Sequence, residues 1–261
     1  MLTDSPTPRA IGLDAAALKP TECDLRAARH LPLDRVAIDY EGREHVPDPA
    51  LLADLAGAFE VRVTAPVRAD GFDPLGDDGL YDRLPEGVGL ALVAGHPAYL
   101  DHRERRRAIA PRIGAMVDRA SDPWVGTEGI ERVALAAGGT QFELLAPGVE
   151  RDVRGLRAAG FDGAVAVYAP TVLSADEGAI LDSVGGYVAR RKGVAERLPE
   201  GADTDGAATG RAREVLLDAA TDYALVGDPR SVRDRIEALK EAGADYVVGY
   251  PARGVAEFCE S

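Results

Sequence analysis

Short apolar runs alternate with amphipathic segments from one end of the chain to the other, and this alternation limits the fold more than any other feature. The runs are AIGLD (Ala10–Asp14), RVAIDY (Arg35–Tyr40), VRVTAPV (Val61–Val67), VGLALVAG (Val88–Gly95), PWVG (Pro123–Gly126), TQFELLA (Thr140–Ala146), AVAVYAP (Ala164–Pro170) and YVVGYP (Tyr246–Pro251). Several are apolar at successive positions, as parallel strands covered on both faces should be. The clearest intervening helix lies in DPRSVRDRIEALKEAGADYVVGYP: Asp228 caps it, Pro229 fits its first turn, Val232, Ile236 and Leu239 share one face, and Gly243 ends it. ERDVRGLRAAGFDGAVAVYAP repeats the grammar, with Val153 and Leu156 facing inward and Gly160 as the stop. Eight such strands within 261 residues predict one (β/α)8 TIM-barrel domain spanning residues 1–261, with an open doubly wound sheet as the alternative. RLPEGADTDGAATGRA (Arg197–Ala212) has no apolar period and predicts a mobile loop between the seventh and eighth strands, where barrel sites form.

Composition narrows the functional classes. The formal charge of −14 argues against binding to nucleic acid or anionic lipid. Only Lys19, Lys192 and Lys240 of the thirty basic residues are lysine, and aromatics make up 5%. This pattern resembles the cytosolic proteins of extreme halophiles, and it makes most individual carboxylates solvated surface. No run of about 20 apolar residues is present, and the opening MLTDSPTPRA lacks the plan of a signal peptide, so a cytoplasmic protein is expected. Two cysteines and no H-x-x-x-H pair point away from a metal site. No G-x-G-x-x-G or G-x-x-x-x-G-K follows a strand.

Chemistry is expected at the carboxyl ends of the strands. In PWVGTEGIERVALAAGG a strand passes straight into a helix, so the N–H groups of Gly126, Thr127, Glu128, Gly129 and Ile130 could cradle a phosphate without Lys or Arg. The simpler reading makes Thr127 a helix cap, and the Glu128 carboxylate would compete with an anion unless it points outward. His96 follows Gly95 at the end of the fourth strand, where an imidazole could meet a phosphate or ring edge; the plain alternative is a turn residue before Pro97. Asp39, Tyr40 and Glu41 close the second strand and are candidates for acid–base work, or else for capping and surface acidity. Arg68 and Arg253 are candidate counter-charges for an anion. RADGFDPLGDDG (Arg68–Gly79) lacks the ordered ligand spacing of a calcium loop and reads as solvated.

The segments DRVAIDYEGREHVPDPALLADLAGAFEVRVTAPV, VGLALVAGHPAYL, PWVGTEGIERVALAAGG and YALVGDPRSVRDRIEALKEAGADYVVGYP, in this order, resemble the luciferase-like flavin or deazaflavin oxidoreductases. The chain is thus similar to a short, divergent, haloarchaeal-type member of that family. The resemblance implies a barrel that binds FMN or the deazaflavin coenzyme, with Gly95, His96, Gly126–Ile130 and Arg253 around the cofactor. It further implies hydride transfer to or from a small substrate and a homodimer, while Asp39, Tyr40 and His96 are the catalytic candidates that the strand ends offer. The His and Trp that some deazaflavin members place beside the ring have no clear counterpart. The alternative is a non-catalytic barrel that binds a flavin or phosphorylated metabolite as a sensor or store.

Overall fold

A computed structural model describes residues 7–259. Nine strands are present: β1 (Ala15–Leu18), β2 (Arg35–Ile38), β3 (Glu60–Pro66), β4 (Val88–Val93), β5 (Trp124–Gly126), β6 (Thr140–Leu144), β7 (Val165–Leu173), β8 (Leu225–Gly227) and β9 (Tyr246–Pro251). The helices are α1 (Pro49–Ala56), α2 (Ala110–Val117), α3 (Glu131–Ala137), α4 (Val149–Ala158), α5 (Glu177–Ala189), α6 (Lys192–Ala195), α7 (Gly210–Tyr223) and α8 (Pro229–Ala242). Strands β1 to β7 pair in sequence order, β7 also pairs with β9, and β9 returns to β1, every pair parallel. The result is a closed eight-stranded (β/α)8 TIM barrel. Strand β8 lies outside this ring and pairs with the upper end of β7, from Thr171 to Leu173. No helix among the described residues is long and apolar enough to cross a membrane.

The first strand differs from the sequence reading. Residues 8–12 form a turn with Gly12 at φ +96°, and the Asp14 carboxylate accepts from the Val247 N–H at 2.8 Å and the Lys240 ammonium at 2.9 Å. The strand begins only at Ala15 and reads AAAL. Alanine favours helices, so this run carries no strand signal by itself. Its small side chains are required from the other side of the lumen: Ala15, Ala17, Ala37, Ala91 and Ala166 face Trp124, Phe142, Tyr168 and Tyr246 in one interior cluster. Trp124 stacks on Tyr246 with centroids 5.7 Å apart, and Phe142 meets Tyr168 edge-on at 5.9 Å.

The alternate residues of each strand face the helices. Val61, Val63 and Ala65 of β3, Leu90 and Leu92 of β4, and Val165 and Val167 of β7 join the outer core with Val232, Ile236 and Leu239 of α8. The start of α8 follows the sequence grammar, with Asp228 accepting from the Arg230 and Ser231 amides and Gly243 left-handed just past its end. At the amino end of the lumen, Arg62 seals the barrel. Its guanidinium lies 4.7 Å from the Trp124 ring centroid and binds the Asp122 carbonyl at 2.6 Å and the Glu60 and Asp122 carboxylates at 3.0 Å.

Two loops depart from or refine their sequence readings. Within Arg68–Gly79, Phe72 and Asp73 are fully buried, because Asp73 anchors the loop through Arg107 at 3.2 Å and Arg112 at 2.8 Å; only its outer part is solvated. Residues 197–212, expected as a mobile loop, lie in an excursion built from α5, α6, α7 and β8. The Gly206 N–H donates to Asp182 at 2.8 Å, Ala208 is buried, and the Thr204 carbonyl sits so close to Gly185 that a Cβ there would be 2.0 Å from it. This excursion has a core of its own, formed by Leu181, Val188, Val215 and Leu216.

Candidate functional site

The carboxyl ends of β4, β5 and β6 surround a cavity of about 390 Å³. Val93, Ala94, Ile109, Ile130, Phe142 and Leu144 give it apolar walls, while Arg68, His96 and Gly126–Gly129 supply its polar lining. Two glycines shape it. Gly95 is left-handed at φ +90°, where a Cβ would also fall 2.9 Å from Leu100 and 3.0 Å from Pro66. A Cβ on Gly126 would meet Val93 Cγ1 at 2.8 Å. His96 is exposed on the rim; its Nδ1 accepts from the Ala98 N–H at 3.2 Å, and its ring lies 6.1 Å from that of Tyr99.

Gly95, His96 and Gly126–Ile130, proposed from sequence, therefore line one cavity. Their donors are less free than the sequence suggests. The Thr127 N–H donates to the Phe142 carbonyl at 3.1 Å, the Ile130 N–H to the Thr127 carbonyl at 2.8 Å, and the Gly129 N–H to Glu131 at 3.2 Å. The Thr127 hydroxyl donates to Glu143 at 2.6 Å, and burial holds the Glu143 carboxyl above its usual range despite that bond. Glu128 lines the cavity, and its carboxylate pairs with Arg191 at 3.0 Å. The guanidinium at the cavity is that of Arg68, which has no carboxylate partner among the described residues. Its guanidinium donates to the carbonyls of Ala94 at 2.6 Å, Gly95 at 3.0 Å and Arg105 at 2.9 Å, and burial lowers its pKa. Arg253 does not reach the cavity and pairs with Glu257 at 3.4 Å.

Across the mouth lies a polar cluster. Asp39 turns into the lumen from the end of β2, where its Oδ2 accepts from the Tyr168 hydroxyl at 3.0 Å and its Oδ1 from Thr64 at 3.5 Å. Burial pushes the Asp39 carboxyl up to about 6, with the two hydroxyls and the Lys19 charge opposing the rise. Lys19 itself bonds Glu22 at 3.0 Å and lies 3.9 Å from the Tyr250 ring centroid. Tyr40 points the other way, edge-on to Phe72 at 5.9 Å, and burial with nearby Glu104 and Glu44 pushes its hydroxyl up to about 12. Asp39 and Tyr40 are thus separated by the alternation of strand faces. The sequence reading missed Tyr168 and Thr64. Their signal was present in that same alternation: Tyr168 shares a face with Ala166, and Thr64 with Arg62, which places both in the lumen.

No curated protein matches the sequence. Among solved structures, the chain is similar to an F420-dependent secondary alcohol dehydrogenase in complex with an F420-acetone adduct, at 11% identity and a TM-score of 0.61, over 92% of this chain and 93% of that one. It is similar to EDTA monooxygenase (EmoA) from Chelativorans sp. BNC1 at 15% identity and a TM-score of 0.53, over 87% and 81% of the two chains. Monooxygenase RslO1 from Streptomyces bottropensis matches at 18% identity and a TM-score of 0.50, over 94% and 97%. At these identities the likeness is one of fold. The family model that matches residues 8–258 is described as a family of unknown function (DUF7388).

Proposed function

The chain belongs to the DUF7388 family, and from that premise and its barrel we propose a luciferase-like oxidoreductase that moves hydride between a flavin-type cofactor and a small substrate. The observation that carries this reading is the gathering of Gly95, His96, Gly126–Ile130 and Arg68 around one 390 Å³ cavity at the strand ends, a size suited to a small-molecule ligand. The residues fit a planar ring bearing an anion. Val93, Ile109, Phe142 and Leu144 form apolar walls that exclude water, and Arg68 supplies charge without a carboxylate to quench it. We assign the anion to Arg68 and the Glu128 amide, since the Thr127, Gly129 and Ile130 amides are already engaged. When bound, FMN or the deazaflavin coenzyme supplies the hydride chemistry. Asp39 would hold the proton that accompanies it, and His96 would contact the ligand from the rim.

The test is the absorbance of the purified protein in the blue-violet range, mass spectrometry of any released ligand, and titration with FMN and the deazaflavin coenzyme. A coloured protein, or saturable binding of either cofactor, is expected; a colourless protein that binds neither overturns the reading. Binding without turnover of any small alcohol or carbonyl substrate would instead favour a sensor or store. Light scattering in solution tests the homodimer that the family resemblance implies.

A further inference from the structure

Asp73 and Asp39 are both drawn into the interior near the mouth, and they are held in opposite ways. Asp73 is 1% exposed and sits between the Arg107 and Arg112 guanidiniums, as a buried structural charge should. Among the described residues, Asp39 has no cation in hydrogen-bond reach. Its two oxygens are held by neutral hydroxyls, Tyr168 on one and Thr64 on the other, and it remains partly accessible from the mouth. Lys19, the nearest cation, is bound to Glu22. A carboxyl kept this way is placed to change its protonation state, not to neutralise a partner.

We infer that Tyr168 is a positioning residue for Asp39, fixing the carboxyl over the lumen so that Asp39 carries a transferable proton beside the cavity. This rests on the oxidoreductase reading given above. Three observations support it. The hydrogen bond joins residues 129 positions apart, on strands β2 and β7 that are separated in the ring by β1 and β9. The Tyr168 ring meets Phe142 edge-on, and Phe142 lines the cavity, so the ring that orients Asp39 is itself packed on the cavity wall. The remaining titratable groups facing Asp39 are Lys19 and Glu22 after β1, Glu41 on its own segment, Tyr99 and Tyr250, and none of them bonds to it. When Asp39 gives a proton to a substrate oxygen, the negative charge stays on its carboxylate and the Tyr168 proton stays on Tyr168. Burial and the Asp39 charge keep that phenol well above its ordinary range. Neither residue makes or breaks a bond to carbon.

The experiment uses the full chain without added ligand, labelled with 13C at the aspartate carboxyl and the tyrosine ring. The Asp39 signal, assigned by its loss in Asp39→Asn, should titrate well above the surface aspartates. Tyr168→Phe removes a donor to the carboxylate and should move the midpoint upward by at least about half a pH unit, roughly a threefold change in proton affinity. The Tyr168 ring carbon should follow the same midpoint in the native chain and lose that inflection in Asp39→Asn. An unchanged Asp39 midpoint in folded Tyr168→Phe overturns the inference. Should Tyr168→Phe fail to fold, a Tyr168 ring carbon that stays flat through the Asp39 titration overturns it equally. A positive result with no cofactor binding would leave the pair standing and sink the oxidoreductase reading.

Discussion

The two sides of the barrel mouth are built from opposite materials. Around β4 to β6 the wall is apolar, shaped by glycines, and its amides are largely engaged, with the Arg68 guanidinium held on backbone carbonyls rather than on a carboxylate. Around β1, β2, β7 and β9 it is a web of hydroxyls and carboxylates centred on Asp39. A wall of the first kind offers a ring mainly apolar contact, with His96 only on its rim. A wall of the second kind can exchange protons but offers little apolar area for binding. The contrast teaches that holding and proton transfer can be assigned to different strands of one ring and therefore altered separately.

Asp39→Asn should separate them most sharply. With a suitable substrate, kcat is expected to fall by about 10²- to 10⁴-fold while cofactor affinity changes by less than about threefold. Parallel loss of binding would merge the two sides into one. The same substitution carries a stability signature. The folded Asp39 carboxyl lies near 6 against a reference value of 3.8, so burial of the charge penalises the native state above that range. Asp39→Asn should be more stable than the native chain at pH 8 by up to about 3 kcal/mol, and the gain should fade as pH falls through 6 towards 4. Denaturation midpoints measured at several pH values check this, and a pH-independent difference would refute it.

On the opposite wall, Gly126→Val forces a side chain against Val93. It should cost about 1–3 kcal/mol in chemical denaturation and weaken cofactor binding at least about tenfold, without moving the Asp39 titration. The smallest effect is expected from Glu128→Gln. The Arg191–Glu128 pair is partly exposed, so its loss should cost less than about 1 kcal/mol and change affinity by no more than about threefold.

The eight-strand ring was legible in the sequence because most strands carry apolar runs on both faces, and α8 because its cap, face and stop are all local signals. The first strand was not legible. AAAL lies in the sheet because aromatic residues on distant strands need small partners, which is a tertiary demand. The three residues of β8 were too few to carry a periodic signal. At the cavity, residue types suggested which positions gather, but not which donors are already taken: the engagement of Thr127 with Glu143 depends on register between β5 and β6. Arg253 was misplaced for a related reason, since Glu257, four residues on, captures it before it can reach the mouth.

Strand β7 has nine residues, while its neighbour β6 has five. Its lower part supplies Tyr168 to the lumen, and its upper part projects beyond the ring to pair with β8 and carry the helical excursion. New sequence can therefore be grafted above the barrel without disturbing the register beneath it. A lineage could lengthen, shorten or exchange the α5–α7 excursion while the Tyr168–Asp39 contact below it keeps its place in the ring.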